Sequence, residues 1–175
     1  MDAFFEILKY TLPAALVIFV VWEMQRKFFQ QQESRQRYLL YKENQKNVTP
    51  IRFTAYERLV LFLERITPDS LLVRTQSDSY TAIQLHAALL TVIRAEYEHN
   101  VAQQIYVSAE AWEVVKNAKE SIVQLINACA AQVDPQGPSV DLAKAILATY
   151  ENSTSAPTMV AISFLKTELK TYFSA

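Results

Sequence analysis

The sequence predicts an all-α protein: an N-terminal transmembrane helix, a polar helical stalk, then a cytoplasmic helical bundle of about five helices. Three observations carry that expectation. The first is glycine, present once in 175 residues, where average usage of about 7% would place roughly a dozen. Sheets and tight loops consume glycine at positive φ, so its scarcity leaves long helices joined by few turns. The second is an apolar run at the N-terminus, and the third is the recurrence of apolar residues every three or four positions through most of the remaining chain.

The same composition removes whole classes of chemistry. A P-loop, a Rossmann turn and a Gly-x-Ser-x-Gly elbow each need at least two glycines in a short window, and Gly137 stands alone. A net charge of −1 provides no field for gathering nucleic acid. Cys129 is the single cysteine, which excludes an intramolecular disulfide framework and a cysteine-rich zinc site.

Residues 1–22 read as a membrane anchor. The run from Ala3 to Trp22, AFFEILKYTLPAALVIFVVW, would be about 30 Å long as a helix, the thickness of a bilayer's hydrocarbon. Glu6 and Lys9 interrupt its start, three residues apart, where they can pair or reach the interface. Trp22 marks the far end as an aromatic-belt residue, with Arg26 and Lys27 beyond it at the lipid headgroups. The uncharged part, Tyr10 to Trp22, is shorter than a bilayer span, so an N-terminal helix buried against partner subunits is the competing reading. The acidic start and the lack of a small-residue cleavage site argue against a signal peptide. Arg26, Lys27, Arg35, Arg37, Lys42 and Lys46 follow the run, against Lys9 alone before it. The positive-inside rule then predicts a single-pass inner (plasma) membrane protein, N-terminus out and C-terminal domain in the cytoplasm.

Residues 23–48 are polar and basic without glycine or proline, as expected of a helical stalk, but they lack the sustained heptad of a coiled coil. Residues 49–175 form the predicted bundle. Thr49 and Pro50 read as N-cap and first position of a helix in which Tyr56, Leu59, Val60, Leu63 and Ile66 have core spacing. Phe53, Leu61 and Phe62 lie off that stripe, so this helix is expected to be central or shared with another subunit. Glu57-Arg58 and Glu64-Arg65 repeat seven residues apart, which makes either a solvated face or a charged seam that registers a partner.

Residues 66–80 read as a connector with one short helical turn. Thr81 and Gln84 form a capping box opening a helix from Ala82 to about Val107. Ser108 caps the next, whose Trp112, Val115, Ala118, Ile122, Leu125, Ile126 and Cys129 form the clearest stripe in the chain. The turn at 134–139, DPQGPS, is a weak internal boundary, and two further helices follow. Their apolar faces, Leu142 to Tyr150 and Ile162 to Tyr172, are too small to fold alone and are expected to pack back on the earlier helices.

Glu96 and His99 form the one chemically suggestive pair. Glu-x-x-His is half of a di-iron carboxylate site, which needs a second such pair and two more glutamates. The only other histidine, His86, has Ile83 at minus three, so one chain lacks the second half. Both residues fall at the border of the helix's apolar side, where they can pair with a basic residue or a carbonyl of a neighbouring helix. Arg94 and Glu98 are spaced for an exposed i, i+4 pair. Cys129, flanked by alanines on an apolar face, reads as a core residue.

Four stretches, LKYTLPA (8–14), AYERLVLFLERITP (55–68), EYEHN (96–100) and QQIYVSAEAWEVVKNAKE (103–120), together resemble an uncharacterised family of small membrane-anchored helical proteins of Bacteroidota. The resemblance runs from the start to about residue 133 and is less clear after it. It implies an anchor plus a cytoplasmic helical domain and brings no activity or ligand. The expected function is therefore non-enzymatic: a membrane-anchored interaction or scaffold protein, with no cofactor, in contact with lipid and with a protein partner, a homo-oligomer among the options. A stalk-like subunit of a larger membrane complex is the alternative, and a metal-dependent helical enzyme using Glu96 and His99 is the third reading.

Overall fold

The structure, a computed structural model, describes residues 19–28, 32, 35, 48–153 and 156–174, and the side chains of these up to residue 172. The chain divides into two units, Met1–Thr49 and Pro50–Ala175. In the first, residues 19–28 are helical and carry local contacts: the Phe19 and Trp22 rings lie 6.3 Å apart, and the Arg26 guanidinium stands 5.5 Å from the Trp22 ring centre. Among the described residues no helix is long and apolar enough to cross a membrane. The predicted span, 3–22, lies outside the described residues except for 19–22, as does most of the predicted stalk.

The second unit is all-helical apart from an isolated bridge between Thr81 and Pro138. Six α-helices are described from residue 48 onward, the first beginning two residues before that unit. We label them α1 (48–65), α2 (Pro68–Thr75), α3 (Ala82–Asn100), α4 (Ala109–Ala130), α5 (Ser139–Glu151) and α6 (Pro157–Ser174), with a 3-10 turn, Val101–Ile105, after α3. Two boundaries differ from the sequence reading. Residue 48 is already helical, so Thr49 and Pro50 lie within a helix and do not open it. The long helix expected to run to Val107 tightens into the 3-10 turn after Asn100, whose side-chain amide donates to the Glu96 carbonyl at 2.8 Å. A third difference is α2, expected as a single turn: Thr67-Pro68 starts eight helical residues that bury Leu71 and Leu72. That extra helix raises the expected five to six.

Both predicted caps form. Thr81 and Gln84 make the reciprocal capping box, and Ser108 Oγ accepts the Ala111 amide at 2.9 Å. The turn at 134–139 lies within the second unit and clasps the start of α3. The Ala82 and Ile83 amides donate to the carbonyls of Gly137 and Pro135 at 2.9 and 3.0 Å, while the Ser139 amide donates to that of Tyr80. No described residue has positive φ, Gly137 included; a Cβ added there would meet the Asp134 carbonyl oxygen at 3.1 Å, a tight contact that the turn would have to shift to relieve.

The core is one cluster fed by all six helices. α4 packs on α3, α5 and α6, so the C-terminal pair folds back as expected. Every residue of the α4 stripe is buried except Leu125, which is partly so. In α1, Phe62 joins Tyr56, Leu59, Leu63 and Ile66 in the core, whereas the sequence had placed it off the stripe. Its ring lies 6.1 Å from Tyr97, which in turn stacks on Trp112 at 5.7 Å. Val60 is only partly buried, and Leu61 stays 51% exposed.

Candidate functional site

Two arginines from different helices converge on Glu96. The carboxylate sits towards the C-terminal end of α3 on the side facing α1 and α2, with its side chain only 15% exposed. Arg65, at the end of α1, places Nη1 3.2 and 3.3 Å from the two carboxylate oxygens. Arg74, in the last turn of α2, places its Nη1 3.2 Å from Oε1, and its other nitrogens bind the carbonyls of Arg65 and Ser70 at 2.6 and 3.2 Å. The carboxylate is thus one pin between three helices. Two guanidinium groups beside a single carboxylate leave local excess positive charge, which opposes binding of a metal cation at Glu96.

His99, three residues on, is exposed, and among the described residues no group of three His, Cys, Asp or Glu side chains is placed to hold a metal ion. The structure therefore brings Glu96 together with Arg65 and leaves His99 apart from that cluster. Arg74 is the residue that sequence reasoning missed, because the α2 segment looked like a connector. Arg94 and Glu98 are both exposed but form no ion pair among the described residues. His86 is engaged elsewhere, its Nε2 lying 2.8 Å from Asn127 Oδ1 beside an apolar cavity of about 360 Å³ at the α3–α4 junction.

A second polar cluster joins α1 to α6. Tyr56, fully buried, donates its hydroxyl to Glu168 Oε1 at 2.8 Å. Arg52 reaches across to donate to the Tyr106 carbonyl and the Tyr172 hydroxyl, each at 3.0 Å, with its guanidinium 4.3 Å from the Tyr172 ring centre. Burial, then the hydrogen bond to Glu168 and that group's charge, hold the Tyr56 hydroxyl well above a tyrosine's ordinary value. Glu168 Oε2 is buried without a hydrogen-bond partner among the described residues. The Tyr56–Glu168 and Arg52–Tyr172 contacts fix α6 against α1, and sequence spacing cannot reveal them because the partners are more than a hundred residues apart.

The remaining predicted seam residues lie on the outer face of α1. Glu57 and Glu64 are exposed and Arg58 is half-buried, and none of the three makes an ion pair among the described residues. Glu57 and Glu64 from α1 and Lys166 from α6 edge an apolar groove of about 300 Å³ between the two helices, floored by Tyr56, Val60, Leu165 and Leu169 with Leu61 at the rim. The outer face of α1 thus offers a large exposed leucine between charged groups that make no ion pair among the described residues.

A protein-family model described as a family of unknown function, DUF7935, matches residues 2–172. The chain belongs to that family. No curated protein and no solved structure matches the chain. In this DUF7935 chain the match continues past the 134–139 turn through α5 and into α6, the part whose resemblance was less clear from sequence. It also takes in Trp22, Arg26 and Lys27, which lie exposed on the helical stretch 19–28.

Proposed function

We propose that this DUF7935 protein is a non-enzymatic, membrane-anchored interaction protein that presents the outer face of α1 to a protein partner. The observation that carries the reading is that face: Leu61 is half exposed beside an apolar groove, with Glu57, Arg58 and Glu64 around it unpaired among the described residues. Exposed large apolar side chains ringed by polar groups are the usual anatomy of a binding surface. The alternative use of Glu96 as a metal ligand is disfavoured by the two arginines that hold it.

The anchor belongs to the same proposal and rests on sequence. Residues 3–22 supply the span, and the excess of lysine and arginine after it supplies the orientation, N-terminus out with the bundle in the cytoplasm. The polar stretch 23–48 would carry the bundle away from the inner membrane, with Trp22, Arg26 and Lys27 at the headgroups.

Two measurements test this. The full chain should stay with the membrane pellet after a carbonate wash; release into the supernatant overturns the anchor. A photo-crosslinking residue at Leu61, introduced into the full chain in native membranes, should yield a discrete protein adduct that the same probe at exposed Gln136 does not. No adduct at Leu61 overturns the interaction surface.

A further inference from the structure

Resting on the reading of the α1 face as an interaction surface, we infer that its partner is a second copy of this chain, paired through α1 about a two-fold axis parallel to the helix. The argument is one of charge. At about 100° per residue, Glu57 and Glu64 fall roughly 40–60° to one side of Leu61, and Arg58 and Arg65 fall roughly 40–60° to the other. Thr54 and Leu61 lie along the line between the two rows.

Such a face is complementary to itself in one arrangement only. If two α1 helices face each other in parallel, the two-fold operation carries the acidic row of each against the basic row of the other: Glu57 opposes Arg58 and Glu64 opposes Arg65, on both sides of a Leu61–Leu61 contact. If they face each other antiparallel, acid meets acid and base meets base, which costs rather than gains electrostatic energy. The internal structure agrees with this division. Arg65 is held by Glu96 but keeps 48% of its side chain exposed. Glu57, Arg58 and Glu64 are left without an ion pair among the described residues. Isologous pairing is also the commonest way in which soluble chains close their exposed apolar surface.

The test uses the full chain purified in detergent. Thr54→Cys and Leu61→Cys variants should each form an intermolecular disulfide on mild oxidation, since Cys129 is buried and both positions lie on the proposed axis. A crosslink at 61 without one at 54 indicates the antiparallel pairing and overturns the proposal. E57K and R58E should each weaken self-association about tenfold or more by light scattering over a concentration series, because each places like charges together twice per dimer. Mixing the two variants should restore association, since the base introduced in one chain then faces the acid introduced in the other, and the second side keeps its native pair. A wild-type chain that is monomeric at tens of micromolar, or an association indifferent to both substitutions, overturns the second copy as partner. If in that case the Leu61 photoprobe still captures a different protein, only the identity of the partner has failed and the interaction surface stands.

Discussion

Helices α1 and α4 both build the core, yet they use their apolar residues differently. In α4 nearly all of them go inward: Trp112, Val115, Ala118, Ile122, Ile126 and Cys129 are buried, Val114, Val123 and Leu125 pack at the margin, and no large apolar side chain is exposed. In α1 the inward face is as complete, with Tyr56, Leu59, Phe62 and Leu63 buried and Ile66 buried just beyond its end, but Ile51 and Leu61 remain exposed on the other faces. A single amphipathic stripe is satisfied by the chain's own fold. A helix with apolar residues left over after the fold has closed marks where something else is expected to bind.

The inward faces of the two helices should respond alike. Phe62→Ala in α1 and Ile122→Ala in α4 should each destabilise the protein by about 3–4 kcal/mol, because both side chains are fully buried and leave cavities. Urea unfolding of each variant measures this; a loss under about 1 kcal/mol at Phe62 would show that the inward face of α1 is not a true counterpart of the α4 stripe. A smaller effect is expected at the pin that locates α1. Glu96→Ala should cost about 1–2 kcal/mol, less than a deep ion pair would, because both arginines stay partly in water. His99→Ala should change stability by less than about 0.5 kcal/mol, as for other exposed positions. Equal losses at the two positions would break the assignment of Glu96 to the arginines.

The other tie of α1, from Tyr56 to Glu168, has a pH signature. The native state holds the Tyr56 proton more tightly than the unfolded chain does. Its contribution to stability is therefore complete below a tyrosine's ordinary value of about 10 and declines as pH rises above it. Tyr56→Phe should cost about 1 kcal/mol at pH 7 by loss of the hydrogen bond, and this deficit should shrink as pH rises from about 10 to about 12. A constant deficit across that interval would remove the titration from the account. The smallest effect on stability is expected on the outer faces. Leu61→Lys in α1 and Asn117→Lys in α4 should each shift unfolding by less than about 0.5 kcal/mol, but only the former should abolish capture of a partner by the full chain. Loss of capture from both would make the two outer faces equivalent.

How far the site was legible depended on whether its parts were close in sequence. Glu96 could be placed at the border of its helix, and a basic partner in a neighbouring helix was among its expected uses, because helical periodicity fixes which side a residue occupies. The identity of those partners, Arg65 and Arg74, required knowing that α1 and α2 lie beside α3. Arg74 was invisible for a further reason: the Pro-, Asp- and Ser-containing stretch that begins α2 carries turn signals, and the proline that ends one helix also begins the next.

The helical class, the caps at Thr81 and Ser108, the inward stripe of α4 and the return of α5 and α6 onto the bundle are all legible from the residues alone. These follow from local rules: glycine scarcity, side chains that satisfy the first free amides of a helix, and the 3.6-residue period. Packing between distant helices is what puts Phe62 in the core and leaves Leu61 outside it, closes two arginines on Glu96 and brings Tyr56 to Glu168. A helix with apolar residues on several faces has no unique inside until its neighbours are in place. For α1, those neighbours are helices brought together from as far as 120 residues away.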